Sequence, residues 1–548
     1  METSIRGRPQ RPAREPSDDS SAGRLRSRIA WMLRVNRLYG TNPAWVSGAE
    51  FAATFQGGCH PHEVSESKIS RWETGIVHVP HHAVRRYEQL LCLPASSLSS
   101  TIDVLSRYMS PLVAPRLSIG QWPRGLPVVT GRSLEDFFEQ VSSPSTMTAA
   151  EWDDMTRILA LTPGLRLRRK EWDSISSRLL IETVAADGAA WKPRHEAFNR
   201  LLEHPDGQLS AVQACADWAN CRENRVFTET VGILDACRHP AASAAVLNQL
   251  TAPTNNDAFA GALLACIRMI SERDFSLRQL QIIADVALNV LSGSPDSDDQ
   301  LSAHAAAVLT RLPEDTRPHV SRQMHRFMKP SASGSRQPCT SPDTSGSSFS
   351  DLITARSISR LPREISRFDD QVLPTLIDEL LHAPVSETRM QSAMLIWATP
   401  YRDPVANTLA WAISGPRRAQ NSRLIVHFLE ALRILGGTAE RELVERIAAD
   451  CRAPFSVQDA AFRTLGHMGG TSDNAFWQKI ITQQGAPTLG QGVASERLLN
   501  HAVYSLSIKR HIDGLRRIAA DHTLTASARD SARWWLNLPS YMFASAEK

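Results

Sequence analysis

Apolar positions recur at intervals of three and four along most of the chain, and alternating runs of the strand type are rare. Leu25, Ile29, Met32 and Leu33 form one stripe and predict a helix over 23–38. Phe51, Ala52 and Phe55 predict a short second helix that starts at the capping residue Ser47 and ends at Gly57-Gly58. Ile69 and Trp72 share one face of a third helix. The Ser65 hydroxyl marks its start, and Gly75, suited to a left-handed conformation, marks its end. Val84, Tyr87, Leu90 and Leu91 line a fourth helix that begins near Pro80 and stops at Leu93-Pro94. The stretch 98–109 extends this bundle. From about 148 onward the helical spacing resumes, as in Trp152/Met155/Leu159, Trp172/Ile175/Leu179 and Leu263/Ile267/Ile270. The expected fold class is all-α.

The third helix is too short to be stable alone, so Ile69 and Trp72 must pin it to a core. Its other face carries Glu66, Ser67, Ser70 and Arg71, with Lys68 at the edge. Such a face suits the DNA major groove, which admits one helix and offers base edges to Arg, Lys and Ser. The helix order and the core Ser67-Lys68-Ile69-Ser70-Arg71-Trp72-Glu73-Thr74-Gly75 resemble the Cro/C1-type (XRE) helix-turn-helix family over residues 23–95, and Leu93-Pro94 is similar to the family's usual ending. The resemblance implies that the third helix enters the major groove of double-stranded DNA while the second braces it across the backbone. Glu66, Ser67, Lys68 and Arg71 become the base readers, with Arg71 matched to guanine. Ser65 and Ser70 flank them, and the first-turn amides of the second and third helices meet phosphate. Arg85 and Arg86 on the fourth helix are further phosphate candidates. The resemblance also implies a structural salt bridge between Arg34 and Glu73, and a homodimer on two half-sites. One departure is the turn 57–63, which is longer than the family's and contains Cys59-His60-Pro61-His62.

Beyond 95 the chain is read from composition and repetition. Residues 1–22 combine low hydrophobicity with Arg6, Arg8, Arg11 and Arg14, and are expected to be a solvated basic arm rather than a secretory signal. Pro111, Pro115, Pro123 and Pro127 mark a linker over 110–147, and Ser, Pro, Gly and Thr mark another over 330–350. The expected order is therefore a basic arm (1–22), a helix-turn-helix domain (23–109), a linker (110–147), an α-helical domain (148–329), a second linker (330–350) and a repeat domain (351–545). In the last of these, Val444–Asp450 recurs as Leu515–Asp521, 71 positions later, and Ser456, Asp459 and Ala461 match Ser527, Asp530 and Ala532. Half of that interval is one helix pair, and the segment resembles degenerate HEAT-type repeats, in which neighbouring pairs bury each other's apolar faces. Such a solenoid-like region offers a surface for a protein partner.

Charge sharpens this picture. The chain of 548 residues carries a formal +4. Residues 1–110 hold fourteen Arg/Lys against ten Asp/Glu, and the remainder hold 47 of each, so the excess sits at the candidate DNA-binding end. The eight cysteines show no CxxC spacing, which fits a reducing cytoplasm, with a nucleoid-associated location for a DNA reader. The apolar run 258–270 contains Arg268 and is too short to span a bilayer, so no membrane segment is expected. Nucleotide-binding, hydrolase and metalloprotease motifs are absent, so neither catalysis nor a cofactor is expected. Cys59, His60, His62, His78, His81 and His82 cluster without the spacing of a zinc module, and no metal is expected. The function these readings favour is a sequence-specific transcriptional regulator. The alternative is an α-helical scaffold or defence-type interaction protein with an accessory helix-turn-helix.

Overall fold

The computed structural model describes residues 21–109, 132–321 and 344–539, less 163, 187, 222–228, 273, 293–298, 317, 363–364, 366–367, 416–420 and 486–491. Among the described residues all regular structure is helical, and an isolated bridge pairs Gly57 with His60. The all-α class read from the sequence is thus the observed one.

Five helices open the described chain: α1 (Ser21–Tyr39), α2 (Gly48–Ala53), α3 (Glu66–Glu73), α4 (His81–Leu90) and α5 (Ser97–Met109). Their ends follow from local chemistry. Ser47 Oγ accepts the Glu50 amide at 3.4 Å and Ser65 Oγ accepts the Lys68 amide at 3.3 Å, each satisfying a first-turn donor. Gly75 turns the chain at φ +70°, where a side chain would be strained. Phe51, Phe55, Trp72 and Tyr87 form the aromatic centre, with Phe51 and Tyr87 ring centroids 5.0 Å apart and Phe55 and Trp72 5.7 Å apart.

The C-terminal half is a stack of helix pairs. One row comprises Ser386–Trp397, Ser422–Leu435, Phe455–His467, Gly492–Ile508 and Ala526–Leu536, each packed on the next. Their starts are roughly 35 residues apart, the length of one helix pair. Arg402–Ile413, Arg441–Ala448, Asn474–Gly485 and Ile512–Ala520 alternate with them. The 71-residue repeat read from the sequence superposes Arg441–Ala448 on Ile512–Ala520 and Phe455–His467 on Ala526–Leu536. In the middle of the chain the same alternate packing recurs. Ala149–Leu161 lies on Gly188–Glu203, and Asn256–Glu272 lies on Asp299–Arg311. The architecture is all-α and solenoid-like. The apolar run at 258–270 lies within Asn256–Glu272, and no helix of the described residues is long and apolar enough to cross a membrane.

Helices form within both expected linkers. Leu134–Ser142 is a helix inside 110–147, started by a capping box of Ser133 and Asp136. Thr344–Ile358 begins inside 330–350. The arm at 1–20, and 110–131 and 330–343 of the two linkers, lie outside the described residues.

The five-helix bundle is built into this body on two sides. On α1, every residue from Arg28 to Tyr39 is buried. A helix enclosed all round needs an internal partner for each polar group. Arg28 pairs with Glu379 at 2.6 Å, Trp31 Nε1 donates to Asp370 at 2.9 Å, and Asn36 Nδ2 donates to the Ala398 carbonyl at 2.7 Å. Trp31 also stacks on Tyr401, whose hydroxyl donates to the same Asp370 at 2.9 Å. On the other side, Arg107 of α5 pairs with Glu196 at 3.0 Å and Glu203 at 2.7 Å. Ser96 donates to Asp153 at 2.7 Å, and Arg157 and Arg200 reach Asp103 at 3.0 and 3.4 Å.

Candidate nucleic-acid interface

The α3 helix is held from beneath. Ile69 and Trp72 are each 1% exposed and enter the aromatic centre. Glu73, at the last turn, is buried and receives a two-pronged bond from Arg37, Nε to Oε1 at 2.7 Å and Nη2 to Oε2 at 2.6 Å. Tyr87 adds its hydroxyl to the same carboxylate at 2.9 Å. Arg37 Nη1 also donates to the Val46 carbonyl at 3.1 Å, tying α1, α3, α4 and the turn before α2 together. The Glu73 carboxylate raises the Arg37 pKa although burial opposes it.

This corrects the expected pairing of Arg34 with Glu73. Arg37 occupies the place in the pair, while the Arg34 guanidinium lies 4.8 Å over the Phe368 ring. Both arginines lie on α1, three residues apart. The sequence offered either one to Glu73, and the packing of α1 against 368–401 decides between them.

Above this base, Ser65, Glu66, Ser67, Lys68, Ser70 and Arg71 are all exposed. Lys68 Nζ lies 5.3 Å over the Trp72 ring, which draws its stem along the helix. The structure therefore brings these six residues together on one open face. It does not bring Arg85 to them. Arg85 is 2% exposed, contacts the Ser96 hydroxyl, and lies 3.5–3.7 Å from Glu88, Asp153 and Asp154. A phosphate contact by Arg85 is excluded by that burial. Arg86 is half-buried and donates to the carbonyls of Phe55, Thr54 and Gln56 at 2.8, 3.0 and 3.1 Å, closing the end of α2.

The long turn before α3 is also packed. Gly57 and His60 exchange backbone bonds of 2.8 and 3.0 Å. His60 is buried, stacks on His82 with ring centroids 5.0 Å apart, and meets Phe55 edge-on. The Cys59 thiol donates to the His82 carbonyl at 3.4 Å. Burial lowers the pKa of both histidines, to about 4 for His82, and keeps them neutral near pH 7.

The basic excess at this end is largely internal. Arg28, Arg34, Arg37, Arg85 and Arg107 are buried, and Arg6, Arg8, Arg11 and Arg14 lie outside the described residues. On and beside α3 the exposed charges are Arg26, Lys68 and Arg71 against Glu50, Glu63 and Glu66. That balance gives little of the phosphate neutralisation that dominates affinity for DNA.

No protein-family model matches the chain, and no curated protein matches it. Among solved structures, a crystal structure of importin beta aligns with 97% of this chain and 84% of that chain, at 10% identity and a TM-score of 0.22, a level that does not establish a shared fold.

Proposed function

We propose that this protein is a helical-repeat interaction scaffold for a protein partner, with the helix-turn-helix-like bundle α1–α5 as an accessory fixed into its body. The observation that carries this reading is α1. It braces α3 through Arg37–Glu73 and is itself enclosed by Asp370, Glu379 and Tyr401 of the repeat region. Buried ion pairs on both sides of the bundle resist any swing relative to the repeats. The stacked helix rows supply the extended surface that a protein partner engages. Neither catalysis nor a cofactor is part of the proposal. Immunoprecipitation of the full chain tests it. One protein partner at near-equal amount, retained in Arg71→Ala, supports the scaffold, whereas sharp promoter occupancy with no stoichiometric protein partner overturns it.

A second reading, a sequence-specific transcriptional regulator that binds double-stranded DNA as a homodimer in the nucleoid, is favoured by the open face of α3. Glu66, Ser67, Lys68, Ser70 and Arg71 stand exposed on a helix whose position is fixed from below. Gel shift against genomic fragments decides it. A discrete complex that Arg71→Ala weakens supports this reading, and no complex at low salt removes it.

A further inference from the structure

The two helical stacks face one another across a cavity of about 250 Å³. Gly188–Glu203 and Asn256–Glu272 form one wall, and Ser386–Trp397, Ser422–Leu435 and Phe455–His467 form the other. Trp191, Leu264, Met390, Met394 and Trp397 make much of its lining apolar. Lys192 lines it as well. That residue is 3% exposed, its Nζ has no hydrogen-bond partner, and its Nζ lies 3.4 Å from the centre of the Trp397 ring.

A lone amine in such a place is costly if charged. The indole face offsets only part of that cost. The charged groups around the cavity are engaged with one another. Arg268 lies 2.8 Å from Glu387 and also contacts Asp235, Arg389 lies 2.8 Å from Glu430, and Arg463 lies 2.8 Å from Asp459. Arg433 lies 3.1 Å from His467 Nε2. The charge that acts on Lys192 is Arg402, a second cation. Burial and Arg402 together hold the Lys192 amine well below the usual lysine range, and burial likewise lowers His427 and His467. The cavity thus combines an apolar wall with a buried donor that lacks a counter-charge.

We propose that this cavity binds a small organic carboxylate with an apolar body, its carboxylate received by Lys192 Nζ and its body by Trp191, Trp397 and the Leu264/Met390/Met394 wall. The size argues for a compact ligand, since drug-sized sites run to roughly 300–1,000 Å³. An inorganic anion leaves the apolar wall uncovered, and a neutral ligand leaves the amine without its counter-charge. Binding brings a proton to the amine, so the complex holds a buried ammonium–carboxylate pair.

Titration calorimetry on the full chain tests this, using phenylacetate and hexanoate as probes, their amides and inorganic phosphate as controls, and Lys192→Met and Met390→Trp as variants. Both carboxylates are expected to bind, with the amides and phosphate at least about ten-fold weaker, or 1.4 kcal/mol. Lys192→Met should abolish carboxylate binding without lowering the melting temperature, because it replaces an unpaired amine by an apolar chain of similar length. Met390→Trp should weaken phenylacetate by filling its space. Heats measured in buffers of different ionisation enthalpy should show proton uptake on binding in wild type, growing as the pH is raised. Carboxylates that fail to bind at millimolar concentration, that bind Lys192→Met undiminished, or that bind no better than phosphate overturn the proposal.

Discussion

The helices α1 and α3 belong to one small bundle, and both carry arginine, yet they use it in opposite ways. On α3 the pattern is cleanly amphipathic. Ile69, Trp72 and Glu73 go inside while Glu66, Ser67, Lys68, Ser70 and Arg71 stay in water. On α1 the residues Arg28 to Tyr39 are buried without a break, so Arg28, Arg34 and Arg37 act as internal connectors. Charge in a sequence is therefore not charge on a surface. The basic excess of residues 1–110 suggested an electrostatic footprint for nucleic acid, and much of it instead joins the bundle to the rest of the molecule.

Removing the connector that both helices share gives the largest expected effect. Glu73→Ala leaves Arg37 buried and unpaired and should cost about 3–5 kcal/mol, read from denaturant unfolding followed by circular dichroism. A loss of about 1 kcal/mol or less, the value for an exposed pair, would mean that α1 and α3 are not locked as described. Next comes the anchor of α1 on the repeats. Asp370→Ala removes the acceptor of Trp31 and Tyr401 and of two first-turn amides of the helix Val372–His382, those of Val372 and Leu373, which it accepts at 3.1 and 3.0 Å. The expected cost is about 2–4 kcal/mol, with faster amide exchange in both α1 and Val372–His382. Faster exchange in only one of them would show that the bundle and the repeats open separately.

The legible part of the fold was the part governed by local rules. Ser47 and Ser65 cap the helices they were read to cap, Gly75 takes its left-handed turn, and the 71-residue repeat falls on matching helices. Long-range packing was not legible. Nothing in the α1 stripe distinguishes Arg34 from Arg37 as partner of Glu73 until Phe368 and Asp370 are in place beside it. Arg85 stands in the sequence beside Arg86 as a phosphate candidate on the fourth helix. Its burial depends on Asp153 and Asp154, far along the chain. Lys192 gave no signal, since Trp191-Lys192-Pro193 carries no motif and the cavity arises only when two stacks meet.

Lys192 gives an intermediate prediction with the opposite sign to those for Glu73 and Asp370. Its folded pKa lies below the unfolded 10.5, so the unfolded chain binds the extra proton once pH falls under 10.5. Wild-type stability relative to Lys192→Met should therefore fall by about 1.4 kcal/mol per pH unit until the folded pKa is reached. Paired thermal melts from pH 10 downward check this, with the variant melting increasingly above wild type. A constant gap would show that the amine is charged in the folded protein and has a counter-ion.

The smallest expected effect on stability is also the one that most sharpens the contrast between the two helices. Arg71 is exposed and at the open end of the α3 face, so Arg71→Ala should change unfolding free energy by less than about 0.5 kcal/mol. Any larger cost would mean that α3, like α1, spends its arginine on the fold. If α3 reads DNA, the same substitution should cost about 1–3 kcal/mol in affinity at the preferred site and little at unrelated sequences. Uniform loss across sequences would assign Arg71 to phosphate. Salt separates the remaining cases. The face carries as many carboxylates as cations, so a complex held by base contacts should weaken only modestly with salt. A steep dependence would require charge from outside it, such as the four arginines at 6, 8, 11 and 14.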